Sequence, residues 1–170
     1  MAEDAIEPGV EANGYVKVLF VPTIAVPSAP TVAELTSATA VAITYALTTT
    51  GYTHTTTEEA LTTGRFTLAN ALQKSGKVTD EISITYVYKN DLSDTISTKL
   101  PKGATGFLVE RWAVENGEAV AADQVVNVIP IEAGQPLPNI PAENDPELTR
   151  TQRINVVGKV QRDVKVVTGA

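Results

Sequence analysis

The stretch from Arg153 to Val167 alternates between apolar and polar residues almost without interruption. Its apolar members share one parity: Ile154, Val156, Val160, Val164 and Val166. Successive side chains of a strand point to opposite faces of a sheet. The run therefore predicts one long strand, or two strands joined end to end, with one dry face and one wet face. Gly158 lies midway, where a strand glycine is typical of a bulge or bend.

Composition limits the function classes that suit this chain. Its 170 residues are 43% hydrophobic and predict a single domain with a proper core. The formal net charge is −7, and no segment offers the basic face that tight binding to nucleic-acid phosphates requires. Such an acidic protein would still suit a surface along which DNA slides without sticking, because like charges repel.

The chain contains no cysteine, so no disulfide, thiolate nucleophile or zinc knuckle is expected. Its first residues are acidic and polar and do not form the pattern of a signal peptide. No apolar run approaches the roughly 20 residues that span a bilayer. We expect synthesis in a bacterial-type cytoplasm and no membrane partner.

The positions of glycine and proline residues predict the domain organisation. Residues 1–14 are expected to form a flexible amino-terminal arm, and residues 15–170 a single β-rich domain. Within the domain we expect an exposed loop or hairpin tip at 49–64 and a proline-rich acidic linker at 134–148.

The remaining segments predict many short strands and one clear helix. Strands are expected at 15–21, 38–48, 65–72, 81–88, 106–114 and 124–131, with a turn at 74–77. Residues 91–100 are the best helix candidate, with Asn90 or Asp91 as its cap, and Thr31 with Glu34 predicts a capping box before a short helical turn. Without a βαβ rhythm, this order favours a sandwich or barrel.

Residues that could carry chemistry are few. The single histidine, His54, lies in a polar stretch and is interpreted as a solvated loop residue. The acidic group Glu143, Asp145 and Glu147 lacks the spacing of a calcium loop and is interpreted as solvated linker. Aromatic side chains that could stack on bases or sugars are expected in the core instead: Tyr45, Phe107 and Trp112. We therefore expect no catalytic, cofactor-binding or metal-binding residues.

Four segments together resemble a known family: YVKVLFVPTIAVPSAPTVAELT at 15–36, ISITYVYKNDLSDT at 82–95, KGATGFLVERWAVENGEAVAADQVVNVIPI at 102–131 and VVGKVQRDVKVV at 156–167. Their order and spacing resemble the major tail proteins, or tail tube proteins, of long-tailed bacteriophages that infect actinobacteria. The resemblance covers most of residues 15–167, and its weight comes from several pieces rather than from one diagnostic motif.

The resemblance implies two packed antiparallel sheets with one flanking helix, and six copies joined into a ring whose inner sheets form a barrel. Stacked rings would form the tube through which DNA passes without specific binding. Tape-measure, tail-terminator and tail-tip proteins would be the partners, and the virion tail the location. A surface adhesin of immunoglobulin-like fold, or a carbohydrate-binding module, is the alternative that the threonine- and valine-rich strands leave open.

Overall fold

The computed structural model describes residues 7–67 and 69–169. Eight strands and two short helices follow one another in this order: β1 Val16–Val21, α1 Val32–Leu35, β2 Val41–Ala42, β3 Leu47–Thr63, β4 Leu72–Val87, α2 Thr95–Lys99, β5 Thr105–Trp112, β6 Val125–Pro138, β7 Thr149–Val156 and β8 Gln161–Lys165. A single 3₁₀ turn, Ile43–Ala46, lies between β2 and β3. The predicted mainly-β, antiparallel fold is confirmed.

All eight strands belong to one antiparallel sheet with the order β2-β1-β5-β6-β7-β4-β3. Strand β8 also pairs with β6, on residues that precede those paired with β7. Strands β7 and β8 therefore follow one edge of β6 in succession, and Gly158 lies in the bend between them. The carboxyl-terminal run is thus two strands joined end to end, as its alternation predicts.

The sheet folds over itself and encloses a core. Side chains of β3 contact Glu110 on β5, although three strands separate these two in the sheet order. The enclosed core consists mainly of aliphatic residues from β1, β4, β5, β6 and β7, together with Ile96 and Leu100 from the α2 region. Burial of this apolar surface is the main force that closes the sheet.

A second, smaller core covers the outer face of β1, β5 and β6. Leu35 of α1, Ile24 and Val166 pack there against Val109 and Val128. Helix α1 begins with the predicted capping box, in which Thr31 Oγ1 accepts from the Glu34 amide and the Glu34 carboxylate accepts from the Thr31 amide. Both faces of the central strands are therefore dry, which explains their continuous apolar character.

The predicted helix at 91–100 is present but shorter than expected. It spans Thr95–Lys99, and its cap is Asp94 rather than Asn90 or Asp91, with the Asp94 carboxylate accepting from the Ser97 amide at 2.8 Å. Leu92 has a positive φ of 55° and lies outside the helix. The predicted apolar face of Leu92, Ile96 and Leu100 is right at Ile96 and Leu100, which are fully buried, and wrong at Leu92, which is 50% exposed.

The strand predicted at 38–48 is wrong over most of its length. Only Val41–Ala42 pairs with β1, and the 3₁₀ turn follows at once. Thr44 replaces a strand partner here, because its hydroxyl accepts from the Val18 amide at 2.6 Å and donates to the Val18 carbonyl at 3.2 Å. As a result Ile43 is buried while Tyr45 is 68% exposed, contrary to the core position that the sequence predicts for Tyr45.

Residues 49–64, predicted as an exposed loop or hairpin tip, do belong to an exposed hairpin, but up to Thr63 they form one of its strands rather than a loop. Residues 47–63 form β3, which pairs with β4 across a long hairpin. Threonine favours strands, but both faces of this ribbon are wet, so no apolar alternation reveals it. Residues 65–67 and 69–71 are the hairpin connection rather than the predicted strand, and Leu68 lies outside the described residues.

The turn predicted at 74–77 and the linker predicted at 134–148 are corrected as well. Gly76 sits at an irregularity within β4, where an added Cβ would lie 2.7 Å from the Glu59 carbonyl oxygen. Residues 134–138 continue β6, whose other edge has no β5 partner beyond Glu132 and so tolerates proline. Residues 139–148 connect β6 to β7 without a helix or strand.

Candidate functional site

A two-stranded hairpin extends beyond the folded sheet. Strand β4 pairs with β7 only over residues 82–87, so within the described residues the two strands of 55–81, here called the projecting hairpin, pair only with each other. Side chains at its base, Thr56 and Asp80, also contact Arg162 of β8. Nearly every described side chain along it is exposed. An isolated two-stranded ribbon is only marginally stable in water, so this element is expected to gain order from a partner.

Apolar side chains are displayed on the projecting hairpin. Phe66, in the connection at its tip, has a relative accessibility of 106%, and about half the surface of Leu61, Leu72 and Val78 is also exposed. Several exposed apolar side chains on one element are typical of an interaction surface. The hairpin therefore has the character of a surface that is covered in an assembly.

A buried polar network holds the base of the hairpin against the domain. Glu110 is 1% exposed, and one of its carboxylate oxygens accepts from the Tyr52 hydroxyl and lies 2.7 Å from His54 Nδ1. The other oxygen accepts from Asn127 Nδ2 at 3.1 Å and from Trp112 Nε1 at 3.4 Å. A buried carboxylate with this many donors is fully satisfied, which offsets its desolvation cost.

His54 bridges two carboxylates. Its Nδ1 faces Glu110 and its Nε2 lies 3.1 Å from Asp80 Oδ1, while only 9% of the side chain is exposed. Both ring nitrogens can donate only when the imidazole is protonated. The hydrogen bond to Glu110 raises the pKa of His54, against the opposing effect of burial, and the charge of Glu110 and the contact with Asp80 add to the rise.

The network continues through Asp80 to β8. The same Asp80 oxygen accepts from Thr56 Oγ1 at 2.7 Å and from Arg162 at 2.5 Å. Burial raises the pKa of Asp80, but the hydrogen bonds from Thr56, Arg162 and His54 outweigh it, so the pKa lies below its usual value. Glu110 has a lowered pKa for the same reason, with hydrogen bonds from His54 and Tyr52 overcoming burial.

This network holds strands together and does not present a reactive group. It ties β3, β4, β5 and β8 together, and both nitrogens of His54 are occupied by carboxylates rather than aimed at a nucleophile. Across residues 7–67 and 69–169, no three His, Asp or Glu side chains are grouped to hold a metal ion. In the same ranges no helix is long and apolar enough to cross a membrane.

The structure places several sequence candidates differently from the prediction. His54 is a buried strand residue, not a solvated loop residue. Trp112 is 49% exposed and Tyr45 is exposed too, so both were wrongly assigned to the core, whereas Phe107 packs beside the smaller core. Glu143, Asp145 and Glu147 are exposed, as expected of a solvated linker.

Sequence reasoning missed Glu110 and Arg111 altogether, although a signal was available. Both are charged residues inside the otherwise apolar strand FLVERW, and both are 1% exposed. Consecutive strand residues face opposite sides, so two buried charges there require separate partner sets. Glu110 faces the network, while Arg111 donates to backbone carbonyls of the following turn: Glu115, Glu118 and Ala119.

Comparison with known proteins agrees with this architecture. The family model described as "Phage tail tube protein" matches residues 5–169. No curated protein matches the sequence at a significant level. Among solved structures, the fold is similar to a chain in the cryo-EM structure of the anti-feeding prophage baseplate, six-fold symmetrised. The TM-score is 0.53 at 10% identity, over 98% of this chain and 100% of that chain. Since the family model covers nearly the whole sequence, the chain belongs to the phage tail tube protein family and is a structural component of a phage tail.

Proposed function

We propose that this protein is the repeating subunit of a tail tube, in which six copies close into a ring and rings stack into a conduit for the phage genome. The observation that carries the proposal is the projecting hairpin, whose tip exposes Phe66 in a chain of the tail tube family. Exposed apolar side chains on a marginal ribbon are buried when identical subunits pack around an axis.

Ring closure also accounts for the edges of the sheet. Strand β2 at one end has only two paired residues, and β3 at the other end is long and finds no second partner strand among the described residues. Open sheet edges template aggregation unless they are paired or covered. Joining of neighbouring sheets into a closed barrel would remove these edges. The six-fold symmetry of the baseplate structure that contains the structural neighbour supports the choice of six copies.

The charge of the chain supports a passive conduit rather than a DNA-binding protein. A net charge of −7 per subunit repels a DNA phosphate backbone, so a duplex would pass along the bore without being trapped. We propose a bore that carries more Asp and Glu than Lys and Arg. Tape-measure, tail-terminator and tail-tip proteins are the partners proposed for its interior and its two ends.

The amino-terminal arm and the 139–148 connection are proposed as further contacts between subunits. The described residues of the arm, 7–14, are exposed, and its first six residues lie outside the described part of the chain. In the connection, Ile140 is 94% exposed and Leu148 about half exposed. Segments of this kind can become ordered when copies assemble, at an entropic cost that the contacts offset.

Sedimentation velocity over a concentration series tests the proposal. We expect a species with six times the mass of the 18.0 kDa chain, followed by larger species as concentration rises. A Phe66→Ser variant should require higher concentrations for both steps, because the apolar contact at the hairpin tip is lost. Closed dimers or trimers that do not grow with concentration would contradict the ring-and-stack proposal.

A further inference from the structure

A cleft separates the projecting hairpin from the bend between β7 and β8. It has a volume of about 490 Å³, and we call it the basic cleft. One wall is residues 77–80 of β4, and the other is formed by residues 156–162 around the bend. The residues that matter for recognition are Lys77, Val78, Val156, Lys159, Val160 and Arg162.

The basic cleft is locally positive, although the protein as a whole is acidic. Lys77 and Lys159 are exposed, and within the described residues no carboxylate lies within 4 Å of either ammonium group. Arg162 already has a partner in Asp80. Val78 is 48% exposed and is the accessible apolar side chain at the cleft, whereas Val156 and Val160 are half-buried against the enclosed core. This surface suits an extended segment that carries both carboxylates and small apolar groups.

The amino-terminal arm has this chemistry. Residues 1–14 contain no Lys or Arg, and their acidic residues alternate with apolar ones: Glu3, Asp4, Glu7 and Glu11 with Ala5, Ile6 and Val10. Val10 is 60% exposed and residues 7–14 are all largely accessible, so the described part of the arm has little contact with its own domain. The arm therefore has charged and apolar groups available for a partner surface.

We propose that the basic cleft binds the acidic amino-terminal arm of a second copy of this chain. The carboxylates of the arm pair with Lys77 and Lys159, and its apolar residues cover Val78. This inference rests on the proposed tube, because one wall of the cleft belongs to the hairpin that a neighbouring subunit would cover.

Cysteine trapping in the full-length chain tests the proposal directly, because the protein has no cysteine of its own. A Val10→Cys chain is mixed with a Val78→Cys chain under mild oxidation, and the disulfide-linked peptides are quantified by mass spectrometry. Val125→Cys is the matched control, since it makes the same substitution at 45% exposure on β6, away from the cleft. We expect the 10–78 linkage to exceed the 10–125 linkage about tenfold.

Charge variants separate specific pairing from chance collision. In the Val78→Cys chain, Lys77→Glu with Lys159→Glu should reduce the 10–78 linkage about tenfold, since two ion pairs are replaced by repulsion. Lys89→Glu with Lys102→Glu causes the same change in net charge at exposed positions outside the cleft and should leave the linkage unchanged.

Two results would overturn the inference. One is equal linkage to Val78→Cys and Val125→Cys, or a linkage insensitive to charge reversal in the cleft. The other is a double variant, Val10→Cys with Val78→Cys, that closes within one chain at a rate independent of concentration. Sedimentation of the unmodified chain is recorded in parallel. Rings without the linkage would reject only this contact, whereas a chain that forms neither would reject the tube as well.

Discussion

At the scale of single residues, the most consequential feature is a charged network in a place where apolar packing would suffice. The side chains of Glu110, His54 and Asp80 are almost fully buried, yet each is hydrogen-bonded to another member of the network. Such networks are often no more stabilising than apolar replacements, but removal of one member leaves the others unpaired. We expect the network to hold the base of the projecting hairpin in a single position.

Replacement of Glu110 by Gln tests the charge of the network while its shape is kept. We expect the free energy of unfolding to fall by about 1–3 kcal/mol, because His54 loses its carboxylate partner. The same change should lower the pKa of His54. Urea denaturation, followed by the fluorescence of the single tryptophan, measures the first effect. Glu132→Gln, at an exposed position of β6, is the control and should change stability little.

Stability should depend on pH with a sign set by His54. Its pKa is raised on folding, so its contribution is fully present below about pH 6.5 and is lost as pH rises through the folded-state value. Glu110 and Asp80 have lowered pKa values, so their contributions are present above about pH 4 and are lost as pH falls through the folded-state values.

We therefore expect the unfolding free energy of the wild-type chain to decline as pH rises above about 6.5, and to decline much less in His54→Gln. Since His54 is the only histidine, its NMR titration reports the folded-state pKa without assignment ambiguity. An equal decline in both proteins, or an ordinary pKa for His54, would show that the network does not hold the imidazolium.

At the scale of elements, the hairpin depends on close backbone contact at its root. Between Leu47 and Tyr52 the register of β3 shifts against β4, and Gly51 lies in this irregularity. An added Cβ at Gly51 would stand 2.1 Å from the Thr85 carbonyl oxygen, which is backbone and cannot rotate away. The glycine is therefore required by space rather than by an unusual φ.

Gly51→Ala should destabilise the protein by about 1–3 kcal/mol, since the β3 and β4 backbones must separate to admit a methyl group. Gly64→Ala is the matched control, because nothing lies within 4 Å of its added Cβ, and it should change stability by less than about 0.5 kcal/mol. Thermal unfolding of the two variants at one pH measures the difference. Equal melting temperatures would mean that the root of the hairpin adjusts freely.

Phe66→Ser separates assembly from folding. The side chain is fully exposed, so we expect the unfolding free energy to change by less than about 0.5 kcal/mol. Assembly should weaken, because the phenyl ring is predicted to be buried between subunits. Tyr45→Ser, at another exposed aromatic outside the hairpin, is the control. Loss of assembly in Tyr45→Ser alone would move the proposed contact away from the hairpin tip.

The success of prediction from sequence differed between elements for physical reasons. The strands of the run at 153–167 were predicted well, because its alternation is strong. Its single dry face was not, since Ile154 belongs to the enclosed core and Val166 to the smaller core on the outer face. Strand β3 was missed because a ribbon with two wet faces shows no alternation. Consequently His54 was placed in a loop, and its network was invisible, since Glu110 and Asp80 approach it only through tertiary pairing.

At the scale of the whole molecule, a single folded-over sheet leaves unpaired edges at β2 and β3, and the projecting hairpin extends beyond the core. A lone subunit with these features has incomplete burial, and the closed symmetry proposed here would complete it. In the proposed tube the charge of −7 would be distributed over a repeating surface and would keep a genome mobile within the bore.

Electron microscopy of the purified protein over a range of concentrations tests the tube most directly. We expect six-membered rings in end views and hollow filaments in side views, with fewer of both for Phe66→Ser at equal concentration. Solid fibrils, or rings with a different number of subunits that never stack, would contradict it.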